Sequence, residues 1–175
     1  MQGISLARKD WLYMPIFFKV KPYLPERGNP MREIRTEIDI ARPPEEVWAV
    51  LTNFESWKVW NPIVNDVTGM ATQGSRLHVT MRGKDGKDAQ EYAPLVTLFQ
   101  APKAFRWRAV MMAGFLMTND KIFELEETPA GTKLIHIETF SGLMVPLFWG
   151  KMKDQVPIML KTMNKALKKM VEGGS

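Results

Sequence analysis

Residues 33–51 read EIRTEIDIARPPEEVWAVL. In the first eight, Ile34, Ile38 and Ile40 fall on one face and Glu33, Glu37 and Asp39 on the other. A period of two marks a half-buried strand. Ala41-Arg42-Pro43-Pro44 stops that strand, and Pro44 opens a helix. Glu45 and Glu46 stand in its first turn, where carboxylates meet the positive end of the helix dipole. Val47, Trp48, Val50 and Leu51 form the apolar side, and Thr52-Asn53 ends the helix. A second helical turn through Glu55, Trp57 and Trp60 is closed by Asn61-Pro62.

Downstream, alternating segments are separated by turn residues. Strands are expected over Val64–Met70, Arg76–Met81 and Glu91–Phe99, then through Phe105, Trp107 and Ala109, and finally over Phe115–Glu126 and Thr132–Phe140. Asp85-Gly86 is a hairpin signal, and Ala101-Pro102-Lys103 and Pro129-Ala130-Gly131 are turns. Beyond Pro146 the period changes. Met152, Val156, Met159, Met163, Leu167 and Met170 recur at helical spacing, with Lys153, Lys161, Lys165 and Lys168 largely on the other sides. Pro157 is expected to kink this helix, and Gly173-Gly174 to end it.

Upstream, Pro15, Pro22, Pro25 and Pro30 interrupt any regular element, and Arg27-Gly28-Asn29-Pro30 reads as a linker. Residues 1–30 are therefore read as a poorly ordered N-terminal extension, with Met31 as the natural start of one domain over residues 31–172. A weak membrane or protein contact through Trp11, Tyr13, Phe17 and Phe18 is the functional alternative for that extension.

The order is one strand, two short helices, about six more strands and one long helix. A sheet with one apolar face must be covered, and the last helix is the one long cover. The class is α+β: a curved antiparallel sheet of about seven strands wrapped around a long C-terminal helix.

This order resembles the START-like superfamily (SRPBCC, or polyketide cyclase/dehydrase-like proteins) with its helix-grip fold. The resemblance lies in residues 38–48 (IDIARPPEEVW), in Leu51-Thr52-Asn53-Phe54 with Trp57, Trp60, Asn61 and Pro62, and in residues 101–107 (APKAFRW). Phe123-Glu124-Leu125-Glu126 and His136 through Glu138 to Phe140-Ser141-Gly142 extend it. It implies a cavity for a hydrophobic ligand but no single function, because the superfamily holds carriers, cyclases, receptors and chaperone activators.

Composition narrows the function classes. The 175 residues carry no cysteine, so disulfides and thiolate metal sites are excluded, and a reducing, cytoplasmic setting is expected. The net charge of +5 is spread along the chain, and Lys161, Lys165, Lys168 and Lys169 read as a solvated helix face rather than a nucleic-acid surface. No stretch approaches the roughly 20 apolar residues of a transmembrane helix. His78 and His136 lack metal-ligand spacing. Nucleophile-elbow, P-loop and dinucleotide signatures are missing, and neither a cofactor nor a metal is expected.

The remaining polar signal lies in the last two strands. Leu134, His136, Glu138 and Phe140 share one face; Phe115, Met117, Asn119, Lys121, Phe123 and Leu125 share another. Antiparallel pairing sets Lys121 opposite either His136 or Glu138. A Lys–Glu–His group is thus expected in an apolar cavity of roughly 300–1,000 Å³. Further walls are expected from Trp60, Asn61, Tyr92 and Trp107, and from Met159 and Met163 of the last helix, although plain core packing accounts for each equally well.

The expected function is binding or transport of a lipid-like or aromatic polyketide-like molecule. The alternatives are a cyclase, dehydratase or hydrolase using His136 and Glu138 as acid and base, and a protein-interaction module.

Overall fold

The computed structural model describes residues 31–83, 86–111 and 113–173. The N-terminal extension, Asp85 of the expected hairpin tip and Gly174 lie outside the described residues. Strand β1 (Arg32–Ile40) buries Ile34, Thr36 and Ile40, so Thr36 joins the inward face that the isoleucines mark. Helix α1 (Pro44–Thr52) starts at Pro44 and buries Val47, Trp48 and Leu51. A 3₁₀ turn (Phe54–Ser56) leads into the single helical turn α2 (Trp57–Trp60).

The strands that follow are β2 (Val64–Thr68), β3 (His78–Arg82), β4 (Asp88–Tyr92), β5 (Leu95–Gln100), β6 (Ala104–Met111), β7 (Met117–Thr128) and β8 (Gly131–Ser141). They form a five-stranded sheet in the order β1-β8-β7-β6-β5 and a three-stranded sheet β2-β3-β4, with every pair antiparallel. Leu77 N donates to Pro94 O at 2.9 Å and Val96 N to Ser75 O at 2.8 Å, which ties the two sheets together.

The single strand expected over Glu91–Phe99 is thus two strands. Pro94 has no N–H for a ladder, and at Ala93-Pro94 the chain leaves one sheet for the other. The expected strand over Val64–Met70 stops at Thr68 because Gly69 turns with φ +115°, a conformation that favours glycine. Phe115 lies in the turn before β7, outside the strand expected to include it.

Gly131 opens β8 where β8 meets the end of β1. Its φ is +133°, and a Cβ there would stand 2.3 Å from Ile40 O and 2.7 Å from Arg42 N. Both neighbours are backbone and cannot swing aside. Gly131→Ala is expected to cost at least about 2–3 kcal/mol. Chemical denaturation of the variant beside the parent protein checks this.

Helix α3 (Val145–Gly173) runs through Pro157 and packs on β1, β8, α1 and α2. Leu160, Met163, Asn164, Leu167 and Val171 face inward at spacings of three and four. At the end covered by α1 and α2 the concave face is filled with rings. Phe105 stacks on Phe123 at 6.0 Å, and Trp57 meets Trp107 at 5.7 Å. At the other end a second apolar cluster gathers Ile34, Met117, Phe140, Val145 and Leu160. This α+β arrangement is a helix-grip fold.

Candidate functional site

A cavity of about 210 Å³ lies where the two apolar clusters meet, between the sheets and α3. It is smaller than the volume expected from sequence. Among the described residues, six methionines line its wall: Met81, Met111 and Met117 from strands, and Met152, Met159 and Met163 from α3. Each has three rotatable side-chain bonds and a polarizable sulfur, so the lining adapts to the shape of an occupant. Val156, Leu160, Phe140, Ile63 and Ala109 complete the apolar part. The polar part comes from the strands, as Gln90, Tyr92, Asn119, Lys121 and Glu138.

Lys121 of β7 stands directly opposite Glu138 of β8. Lys121 Nζ and Glu138 Oε1 form an ion pair, each side chain only 12% exposed. Asn119 Nδ2 donates to Glu138 Oε2 at 3.4 Å and to Thr139 O at 3.5 Å. Both oxygens of the carboxylate are therefore engaged. Burial pushes the Tyr92 phenol well above its ordinary range, and the negative charge of Glu138 adds to the shift. Tyr92 is thus a neutral hydroxyl at any ordinary pH.

His136 lies outside the cavity lining. The register that sets Glu138 against Lys121 sets His136 against Phe123, and its ring rests on Phe123 at 4.3 Å. It is fully buried beneath α3. Nδ1 is 2.7 Å from Asn164 Oδ1, Asn164 Nδ2 donates to Thr36 Oγ1 at 3.0 Å, and Thr36 Oγ1 donates to His136 O at 3.3 Å. A carbonyl oxygen only accepts, so the neutral ring carries its proton on Nδ1. This network joins β8, α3 and β1. The expected Lys–Glu–His group thus divides into an ion pair in the cavity and a histidine in a separate network.

Burial pushes the His136 pKa well below the ordinary 6.5, the Lys121 charge adds to the depression, and the Asn164 bond opposes it. The unfolded chain therefore takes up a proton below pH 6.5 that the folded protein refuses. The contribution to stability is full above that pH and is lost as pH falls toward the folded value. His136→Gln is expected to remove up to about 1.4 kcal/mol per pH unit from the acid slope of stability. Urea unfolding of both proteins between pH 7 and pH 5 measures it.

The family described as "Polyketide cyclase / dehydrase and lipid transport" matches residues 31–174. The chain belongs to this family. No curated protein matches it. Among solved structures it is similar to a protein of Nitrosomonas europaea, at 17% identity and TM-score 0.65, covering 81% of this chain and 95% of that one. It is similar to the di-domain ARO/CYC protein StfQ of the steffimycin biosynthetic pathway, at 10% identity and TM-score 0.68, covering 82% and 52%. It is also similar to norcoclaurine synthase of Thalictrum, at 15% identity and TM-score 0.65, covering 86% and 100%. At such identities the likeness shows the fold.

Within this polyketide cyclase/dehydrase and lipid transport fold, the sequence-predicted residues separate by depth. Tyr92, Met117, Asn119 and Lys121 line the cavity, as do Glu138, Phe140, Met159 and Met163. Trp107 sits fully buried among the rings of the core. Asn61 shapes the turn into β2, its Oδ1 accepting from Ile63 N at 2.9 Å and Val64 N at 3.2 Å. Trp60 packs on Trp57 at 5.5 Å and lines a separate groove with Val59, Ala166 and Met170. Phe115 is 64% exposed.

Ile63, Met81, Gln90, Ala109 and Met111 also line the cavity, and the sequence reading names none of them as a wall. Gln90 lies in a polar hairpin strand that carries no apolar alternation, and the cavity-facing residues of α3 follow the stripe through Met152 and Val156. Among the described residues, no group of three or more histidines, aspartates and glutamates could hold a metal ion, and no helix is long and apolar enough to cross a membrane.

Proposed function

We propose that the chain binds a hydrophobic small molecule, lipid-like or aromatic polyketide-like, in the methionine-lined cavity. The observation that carries this reading is an apolar recess in which the two charged residues among the described lining, Lys121 and Glu138, neutralise each other. Apolar walls supply affinity by excluding water, and a few polar groups on one side orient the occupant. The family's description, which includes lipid transport, supports the same reading.

In this reading Tyr92, Asn119, Lys121 and Glu138 face the polar end of the ligand. Met117, Phe140, Met159 and Met163 hold its apolar body. Acid–base work by His136 together with Glu138 is disfavoured, because His136 stands outside the lining with Nδ1 committed to Asn164.

Ala109 lies on the sheet wall of the cavity and is buried. Ala109→Phe would fill the space from one side. The neutral probe N-phenyl-1-naphthylamine is expected to brighten on binding the parent protein, and Ala109→Phe to weaken it by about tenfold or more, near 1.4 kcal/mol. Met159→Trp, at the more exposed edge, gives the same test with less strain on the core. Unchanged probe binding in folded samples of both variants contradicts the proposal.

A further inference from the structure

We infer that the cavity selects uncharged ligands carrying a hydroxyl or carbonyl group on an apolar, ring-sized body, and excludes the corresponding carboxylates. This inference rests on the proposed binding function and narrows its ligand class.

Among the described residues, Lys121 is the one cationic side chain in the lining, and its ammonium is held by Glu138. Glu138 is the one anionic side chain among the described lining residues; Oε1 faces Lys121 and Oε2 accepts from Asn119. An entering carboxylate would find no free cation among the described lining residues. It would have to stand beside Glu138 unpaired, or displace Glu138 from Lys121 and leave that carboxylate buried without its partner. Either arrangement leaves an uncompensated charge in an apolar recess, the costly case for buried ions. A ligand amine meets the same obstacle with the signs exchanged.

A neutral head group meets no such cost. Tyr92 and Gln90, two residues apart on β4, also line the cavity. They offer donors and acceptors to an alcohol, phenol, ketone or amide. The apolar body then lies against Met152, Met159 and Met163 of α3. The ion pair acts as a specificity device: it keeps the wall polar enough to orient a ligand while holding the net charge at zero.

The test uses the full chain and two matched probes, 2-naphthol and 2-naphthoate, titrated at pH 7 by calorimetry. The parent protein is expected to favour the naphthol by at least about 30-fold. Glu138→Gln leaves Lys121 without its anion, and the preference should move toward naphthoate by about tenfold or more. Should Glu138→Gln not fold, Lys121→Met should instead gain affinity for 2-naphthylmethylamine.

Equal affinity of the parent protein for both naphthalenes overturns the inference and leaves hydrophobic binding standing. So does an unchanged preference in the folded variants. A parent protein that takes N-phenyl-1-naphthylamine but neither naphthalene also overturns the inference. One that takes none of these probes overturns the binding function itself.

Discussion

Glu138→Leu alone is expected to destabilise the protein by about 3–5 kcal/mol, and the double variant Lys121→Met/Glu138→Leu to recover most of that loss. The single change leaves the Lys121 ammonium largely buried, with its ion-pair partner gone. Asn119 loses its contact to Oε2 as well. Removing both charges together removes the desolvation cost as well as the attraction, so the apolar replacement comes out near the parent. A double-mutant cycle by urea unfolding gives the coupling between the two positions. If the single variant is as stable as the double, the ion pair is solvated, and the neutral-wall account of the cavity loses its basis.

Phe105→Ala is the second large effect, also expected at about 3–5 kcal/mol. Phe105 is fully buried and meets Phe54, Phe99, Trp107 and Phe123 at centroid separations of 5.8, 5.9, 5.5 and 6.0 Å. Its removal opens a void walled by large rings that cannot collapse into it. The cavity lining does not include Phe105. Probe binding to the folded variant should therefore stay within about threefold of the parent, under 1 kcal/mol. Thermal unfolding and a probe titration on the same sample separate the two effects. A loss of binding without loss of stability would show that the ring cluster belongs to the ligand site after all.

Which face of each strand turns inward was legible before the structure, because a pleated strand alternates with a period of two. Leu134, His136, Glu138 and Phe140 do share a face. How deep along that face each residue sits was not legible. That depends on α3, which lays Asn164 over His136 but leaves open space beside Glu138. The register between β7 and β8 came down to two choices differing by one inward-facing residue. The observed turn at Thr128–Gly131 selects Lys121 against Glu138.

The change of sheet at Pro94 was hidden for a related reason. Tyr92, Val96 and Phe99 read as one apolar segment, and only the missing N–H of Pro94 marks the break. The apolar stripe of α3 was plain, since Met152, Val156, Met159 and Met163 recur at helical spacing. The stripe alone does not distinguish the stretch that touches the core from the stretch that borders empty volume.

The binding claim is tested most directly by the ε-methyl NMR signals of the methionines in the full chain, recorded while N-phenyl-1-naphthylamine is added. The methyls of Met81, Met111, Met117, Met152, Met159 and Met163 are expected to move together and saturate, because these residues line one cavity. Met70 and Met170, both partly or largely exposed and outside that lining, should stay in place. Shifts confined to Met70 and Met170, or no saturable shift at any of the six, would contradict it.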